Sequence, residues 1–98
     1  MGMTIATTTN DTITTFALDG WLDTTGAPQL AEALNKLDES CTELVLDLEN
    51  LEYISSAGLR QVVSAYKKMK GNVAMRNVRP EVKQVFHMAG LDKRLNIS

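Results

Sequence analysis

The chain has 98 residues, enough for one domain and too few for two, so residues 1–98 read as a single domain. Its 44% hydrophobic and 22% charged residues are ordinary for a globular protein, and a net charge of −2 argues against a general nucleic-acid binder. Cys41 is the single cysteine, no apolar stretch approaches a membrane span and no leader pattern opens the chain. Those features point to a monomer that folds in a reducing compartment, the cytoplasm, with no direct membrane insertion.

In chain order, Met3–Thr9 and Thr12–Leu18 are threonine-rich and β-prone, and Asn10-Asp11 between them suits a hairpin turn. Asp19-Gly20 closes the second strand. Asp23 or Thr24 is a candidate cap for an amphipathic helix that accepts Pro28 in its first turn and lines Leu30, Ala33 or Leu34, and Leu37 on one face. Glu43–Leu48 is a short apolar run with the signature of a buried strand. A helix from about Ser56 to Lys70 follows, with apolar residues at 59, 62, 63, 66 and 69, and Gly71-Asn72 stops it. Val73–Met75 reads as a strand and Pro80 opens a third helix with Val82, Val85, Phe86 and Ala89 on one face. Leu91–Ser98 reads as an extended tail. The order β-β-α-β-α-β-α-β, with right-handed crossovers, predicts an α/β domain with a mixed sheet and helices packed mainly on one face.

Ser55-Ser56, between strand and helix, is the stretch that bears on function. A serine there either caps the orphan N–H groups of the helix or presents a hydroxyl where the helix N-terminus welcomes negative charge. Ser55 as the cap and Ser56 facing out in the first turn are compatible. Catalysis by Ser56 would need a base; His87 is the only histidine, and there is no Gly-x-Ser-x-Gly elbow. No cysteine–histidine set has metal-ligand spacing and no phosphate loop is present, so neither enzyme, metal nor cofactor is expected. Trp21 and Tyr66 read as core or core-rim residues, Met69, Met75 and Met88 as core filling, and Lys67, Lys68 and Lys70 as a solvated helix end.

Gly20-Trp21-Leu22-Asp23, Val45-Leu46-Asp47-Leu48, Leu51–Leu59 with its Ile54-Ser55-Ser56-Ala57-Gly58 centre, and Gly90-Leu91-Asp92-Lys93 together resemble the STAS domain family, over essentially the whole chain. In particular the chain resembles the small single-domain bacterial anti-sigma factor antagonists of that family. The resemblance implies a STAS-like fold and a phosphorylatable serine two residues before the glycine, which is Ser56, with Ser55 as the alternative. Ser55 stands where the family commonly has aspartate, and Ala57 where a second hydroxyl is common. The implied partners are an ATP-dependent anti-sigma factor serine kinase, bound by the unphosphorylated form so that sigma factor is released, and a serine phosphatase that resets the switch. Asp23, Asp47, Ser55, Gly58 and Leu59 are the implied partner-binding residues. Without the family, Asp23 reads as a helix cap, Asp47 as a polar strand end and Leu59 as core. The alternative function is a non-catalytic STAS adaptor subunit of a membrane transport complex.

Overall fold

The computed structural model describes residues 2–91 and the backbone of residues 96–97. Its elements are β1 (Met3–Asn10), β2 (Ile13–Leu22), α1 (Gly26–Asn35), β3 (Glu43–Ile54), α2 (Ser56–Lys68), β4 (Val73–Arg76), α3 (Pro80–Met88) and β5 (Asn96–Ile97). The element order is the one expected from the sequence. Most of the tail beyond Leu91 lies outside the described residues.

The sheet runs β1-β2-β3-β4-β5. β1 and β2 are antiparallel; every later neighbour is parallel. This pairing dictates the layering. Each helix connects a strand to its next parallel neighbour, always stepping in the same direction across the sheet. Right-handed crossovers therefore place α1, α2 and α3 on one face. The strands carry the matching pattern: Thr14, Phe16, Leu18 and Leu22 of β2 are buried, while Ile13, Asp19 and Trp21 are exposed. Phe16 pairs with Leu46 and Leu46 with Met75, so these three side chains share the covered face. Phe86 of α3 and Val62 of α2 close over the same side and are almost fully buried. Each such Leu, Val or Phe contributes about 1.5–3 kcal/mol on burial.

The other face is surfaced by Thr15, Ala17 and Ala74, with Trp21 packed against Tyr53 at 5.7 Å between ring centroids, the ring planes tilted by 57°. Trp21 thus stands outside the core, 38% exposed. Met75 and Met69 fill the core, but Met88 is 77% exposed, because α3 turns only Val82 and Phe86 fully inward.

β3 departs most from the sequence reading, running to Ile54 instead of Leu48. Two register shifts against β2 explain the difference: Ala17 pairs with Asp47 but Asp19 with Asn50, and Gly20 with Leu51 but Trp21 with Tyr53. Each shift gives β3 one extra residue, a bulge. The buried positions Leu48, Leu51 and Ile54 then recur every third residue, which hides the two-residue period of a strand. The hairpin turn is also offset by one: Asn10 pairs with Ile13, and Asp11 takes the left-handed conformation at φ 61°.

Candidate regulatory serine site

β2 and β3 end side by side, with Leu22 paired to Ile54. The chain leaves β3 through Ser55, in extended conformation (φ −101°, ψ 176°), and enters α2 at Ser56. Ser55 is the N-cap. Its Oγ accepts from the Gly58 amide at 3.3 Å and donates to the Leu22 carbonyl at 3.5 Å. The Ser55 amide donates to the same carbonyl at 2.9 Å, and its own carbonyl receives Leu59 N–H at 2.9 Å. Both sides of the Ser55 hydroxyl are thereby engaged in tying helix to sheet.

Ser56 is different. It is the first helical residue, it is exposed, and its hydroxyl makes no hydrogen bond among the described residues. The first turn of α2 carries no acidic residue. Ser56 Oγ therefore lies beside the positive end of a helix whose field favours an added anion, typically by ~0.3–1 kcal/mol. No base is hydrogen-bonded to it. Among the described residues no three His, Cys, Asp or Glu side chains group as a metal site would require, and no helix is long and apolar enough to cross a membrane.

Gly58 explains how α2 comes so close. A Cβ there would stand 2.4 Å from the Leu22 carbonyl oxygen and 2.7 Å from Leu22 Cγ. Leu59, one residue on, is half-buried and packs against the core, so it belongs partly to the core and partly to the surface.

Asp23 directly follows Leu22 and organises the start of α1. Its Oδ1 accepts from Thr25 N at 3.0 Å and Gly26 N at 2.9 Å, and its carbonyl from Ala27 N at 2.8 Å. The Gly26 amide, opposed by some desolvation and joined by Thr25, holds this carboxyl below its ordinary value. The starts of α1 and α2 are thus tied to adjacent strand ends.

Asp47 is not at the serine loop. The longer β3 places it mid-strand, where Oδ1 accepts from Glu49 N at 3.1 Å and Asn77 Nδ2 at 3.2 Å. The sequence missed the role of Leu22, whose contribution is a backbone carbonyl that any residue would supply. The signal for it was indirect: a glycine three residues after a serine cap.

A family model of the STAS domain matches residues 4–98. The chain belongs to the STAS domain family. A relative from Bordetella bronchiseptica, named putative anti-sigma factor antagonist BtrV, is 38% identical over 77 residues, spanning 74% of this chain and 66% of its own length, just under two thirds. The crystal structure of an anti-sigma factor antagonist from Mycobacterium paratuberculosis superposes with a TM-score of 0.83 at 28% identity, over 97% of this chain and 84% of that one. The anti-sigma factor antagonist SpoIIAA in its unphosphorylated form shares the fold, with a TM-score of 0.81 at 20% identity, over 97% and 88% of the two chains. These three proteins all carry the name of anti-sigma factor antagonist.

Proposed function

We propose that this STAS domain is an anti-sigma factor antagonist switched by phosphorylation of Ser56. Unphosphorylated, it binds an ATP-dependent anti-sigma factor serine kinase, and sigma factor is released. Phosphate on Ser56 ends that binding, and a serine phosphatase restores it. The domain acts in the cytoplasm as a non-catalytic monomer. One observation carries the choice of residue: the Ser55 hydroxyl is used on both sides by the cap, whereas that of Ser56 is exposed and unengaged. Ser55, Gly58 and Asp23 then act by positioning, since they fix α2 and α1 against Leu22 and set where Ser56 stands. Asp47, away from the loop, would meet a partner only across a broad surface.

The test is incubation with the cognate anti-sigma factor kinase and Mg²⁺–ATP, followed by mass mapping. One phosphate on Ser56 is expected. Phosphate on Ser55 would move the acceptor by one residue. Absence from both serines would favour the adaptor of a membrane transport complex.

Leu59 offers a second check. Full burial would make Leu59→Ala cost ~2–5 kcal/mol; half-buried, it is expected to lose only about 1–2 kcal/mol in urea denaturation. Kinase binding, measured by calorimetry, is expected to fall about tenfold or more, as for an apolar anchor at an interface. A normal affinity in the folded variant would remove Leu59 from the docking surface.

The Asp23 carboxyl gives a pH prediction. Its folded pKa lies below 3.8, so its charge-dependent stabilisation is complete above that value and is lost as pH falls through the lower folded pKa. The difference in urea midpoint between wild type and Asp23→Asn should therefore be constant at neutral pH and shrink below pH 3.8. A difference unchanged down to about pH 2.5 would show that the charge on Asp23 contributes nothing to stability.

A further inference from the structure

Ser56 heads the exposed stripe of α2, and Arg60 is the next residue along it. Ser56, Arg60, Ser64 and Lys67 are all exposed, at the three- and four-residue steps of one helix face. Residues four apart on a helix bring their Cβ atoms within about 6 Å of each other. Helical side chains also lean toward the N-terminus, so each covers the turn that precedes it. A long side chain at position 60 therefore reaches back over position 56.

Among the described residues the Arg60 guanidinium makes neither an ion pair nor a hydrogen bond. It is also the lone Lys or Arg between Lys36 and Lys67, a stretch that carries Asp38, Glu39, Glu43, Asp47, Glu49 and Glu52. The other cations are distant or engaged. Lys67 lies about 16 Å from Ser56 along the helix axis, at about 1.5 Å per residue. Arg79 donates its Nε to the Glu49 carbonyl at 2.9 Å, and Lys36 pairs with Glu32 at 3.1 Å. One uncommitted cation thus stands in an acidic stretch of chain, one helical turn from the exposed serine.

We propose that Arg60 is the built-in partner of a phosphate on Ser56: its guanidinium folds back one turn and donates to the phosphate oxygens. This inference rests on Ser56 being the acceptor, and it says what the phosphate does once attached. Two physical preferences support it. On a helix, an anion four residues N-terminal to a cation is the favoured order of an ion pair. The guanidinium fork also matches two phosphate oxygens with parallel N–H···O bonds, which an ammonium cannot do. The phosphate brings about −1.5 to −2 charges. Its capture by Arg60 changes the exposed stripe of α2 in one step, from a free cation to a net anion with the cation committed.

The test uses the full chain with phosphoserine placed at position 56 during synthesis. No kinase is involved, so the result is independent of whether a kinase modifies Ser56. Phosphorus NMR follows the second phosphate ionisation, ordinarily at about pH 6. Arg60→Gln is expected to raise that midpoint by about 0.3–0.5 unit at low salt, and about 1 M salt should erase the difference. Arginine and glutamine are comparable helix formers, and residue 60 is exposed, so the fold is kept. Arg60→Lys should restore part of the shift as a point charge. Arg60→Gln combined with Ser64→Arg keeps the net charge but moves it one turn further away, and should titrate like Arg60→Gln alone. The Arg60 Nε–H resonance should move with the same midpoint as the phosphate. Glu52 of β3 and Asp23 before α1, the carboxylates at this end of the sheet, are common to every variant, so the differences report residue 60. An unchanged midpoint in Arg60→Gln, full restoration by Ser64→Arg, or an Arg60 Nε–H resonance indifferent to the phosphate would each overturn the pairing.

Discussion

Gly58→Ala is expected to cost about 3 kcal/mol of stability, the upper part of the range for overpacking a close contact. The direction is not obvious from local preference, since alanine is the better helix former by about 1 kcal/mol. Packing decides it. The added methyl would meet the Leu22 carbonyl oxygen at 2.4 Å, Leu22 Cγ at 2.7 Å and Ile54 Cγ1 at 3.0 Å. A backbone oxygen cannot swing away as a side chain can, and this oxygen also receives the Ser55 amide at 2.9 Å. Relief requires α2 to lift from the ends of β2 and β3, loosening the cap as it goes. Gly2→Ala is the control, because a Cβ there meets nothing within 4 Å. Urea denaturation of both variants checks the expectation. Equal midpoints would mean that α2 does not sit this close to β2.

The architecture was legible because its signals are local and repeated. Threonine-rich, β-prone runs at the first two strands, helical spacing in α2, and Pro80 at the first position of α3 each specify an element, and handed crossovers assemble them. The extent of β3 was not legible. Its bulges are set by pairing with β2, and their three-residue spacing of Leu48, Leu51 and Ile54 does not look like a strand from within. Asp47 was misplaced for that reason. The roles of Ser55 and Ser56 were readable only as alternatives, because a cap and an exposed first-turn hydroxyl differ by a single residue of register. That β1 ends the sheet is a fact of topology that no segment carries alone.

Ser56→Asp is expected to weaken binding to the anti-sigma factor kinase at least a hundredfold while leaving the urea midpoint nearly unchanged. The reasoning separates the domain from its interface. Within the domain, the carboxylate sits at the first turn of α2, where a helix N-terminus stabilises an anion by ~0.3–1 kcal/mol and no acidic residue of that turn opposes it. Within an interface, the same charge must shed its water, and an unmatched buried charge at a docking surface costs ~2–5 kcal/mol, equivalent to factors of tens to thousands. A phosphate, carrying −1.5 to −2 charges, strengthens both effects. Ser56→Ala should keep the fold and the kinase affinity, because the hydroxyl it removes makes no hydrogen bond among the described residues, yet accept no phosphate. Ser55→Ala should do the opposite: lose ~0.5–2 kcal/mol with the cap and still be phosphorylated at Ser56. Calorimetric titration, denaturation and mass mapping of the three variants distinguish the roles. If Ser56→Asp held the kinase as tightly as the wild type, Ser56 would lie outside the contact and the switch would have to be sought elsewhere on the domain.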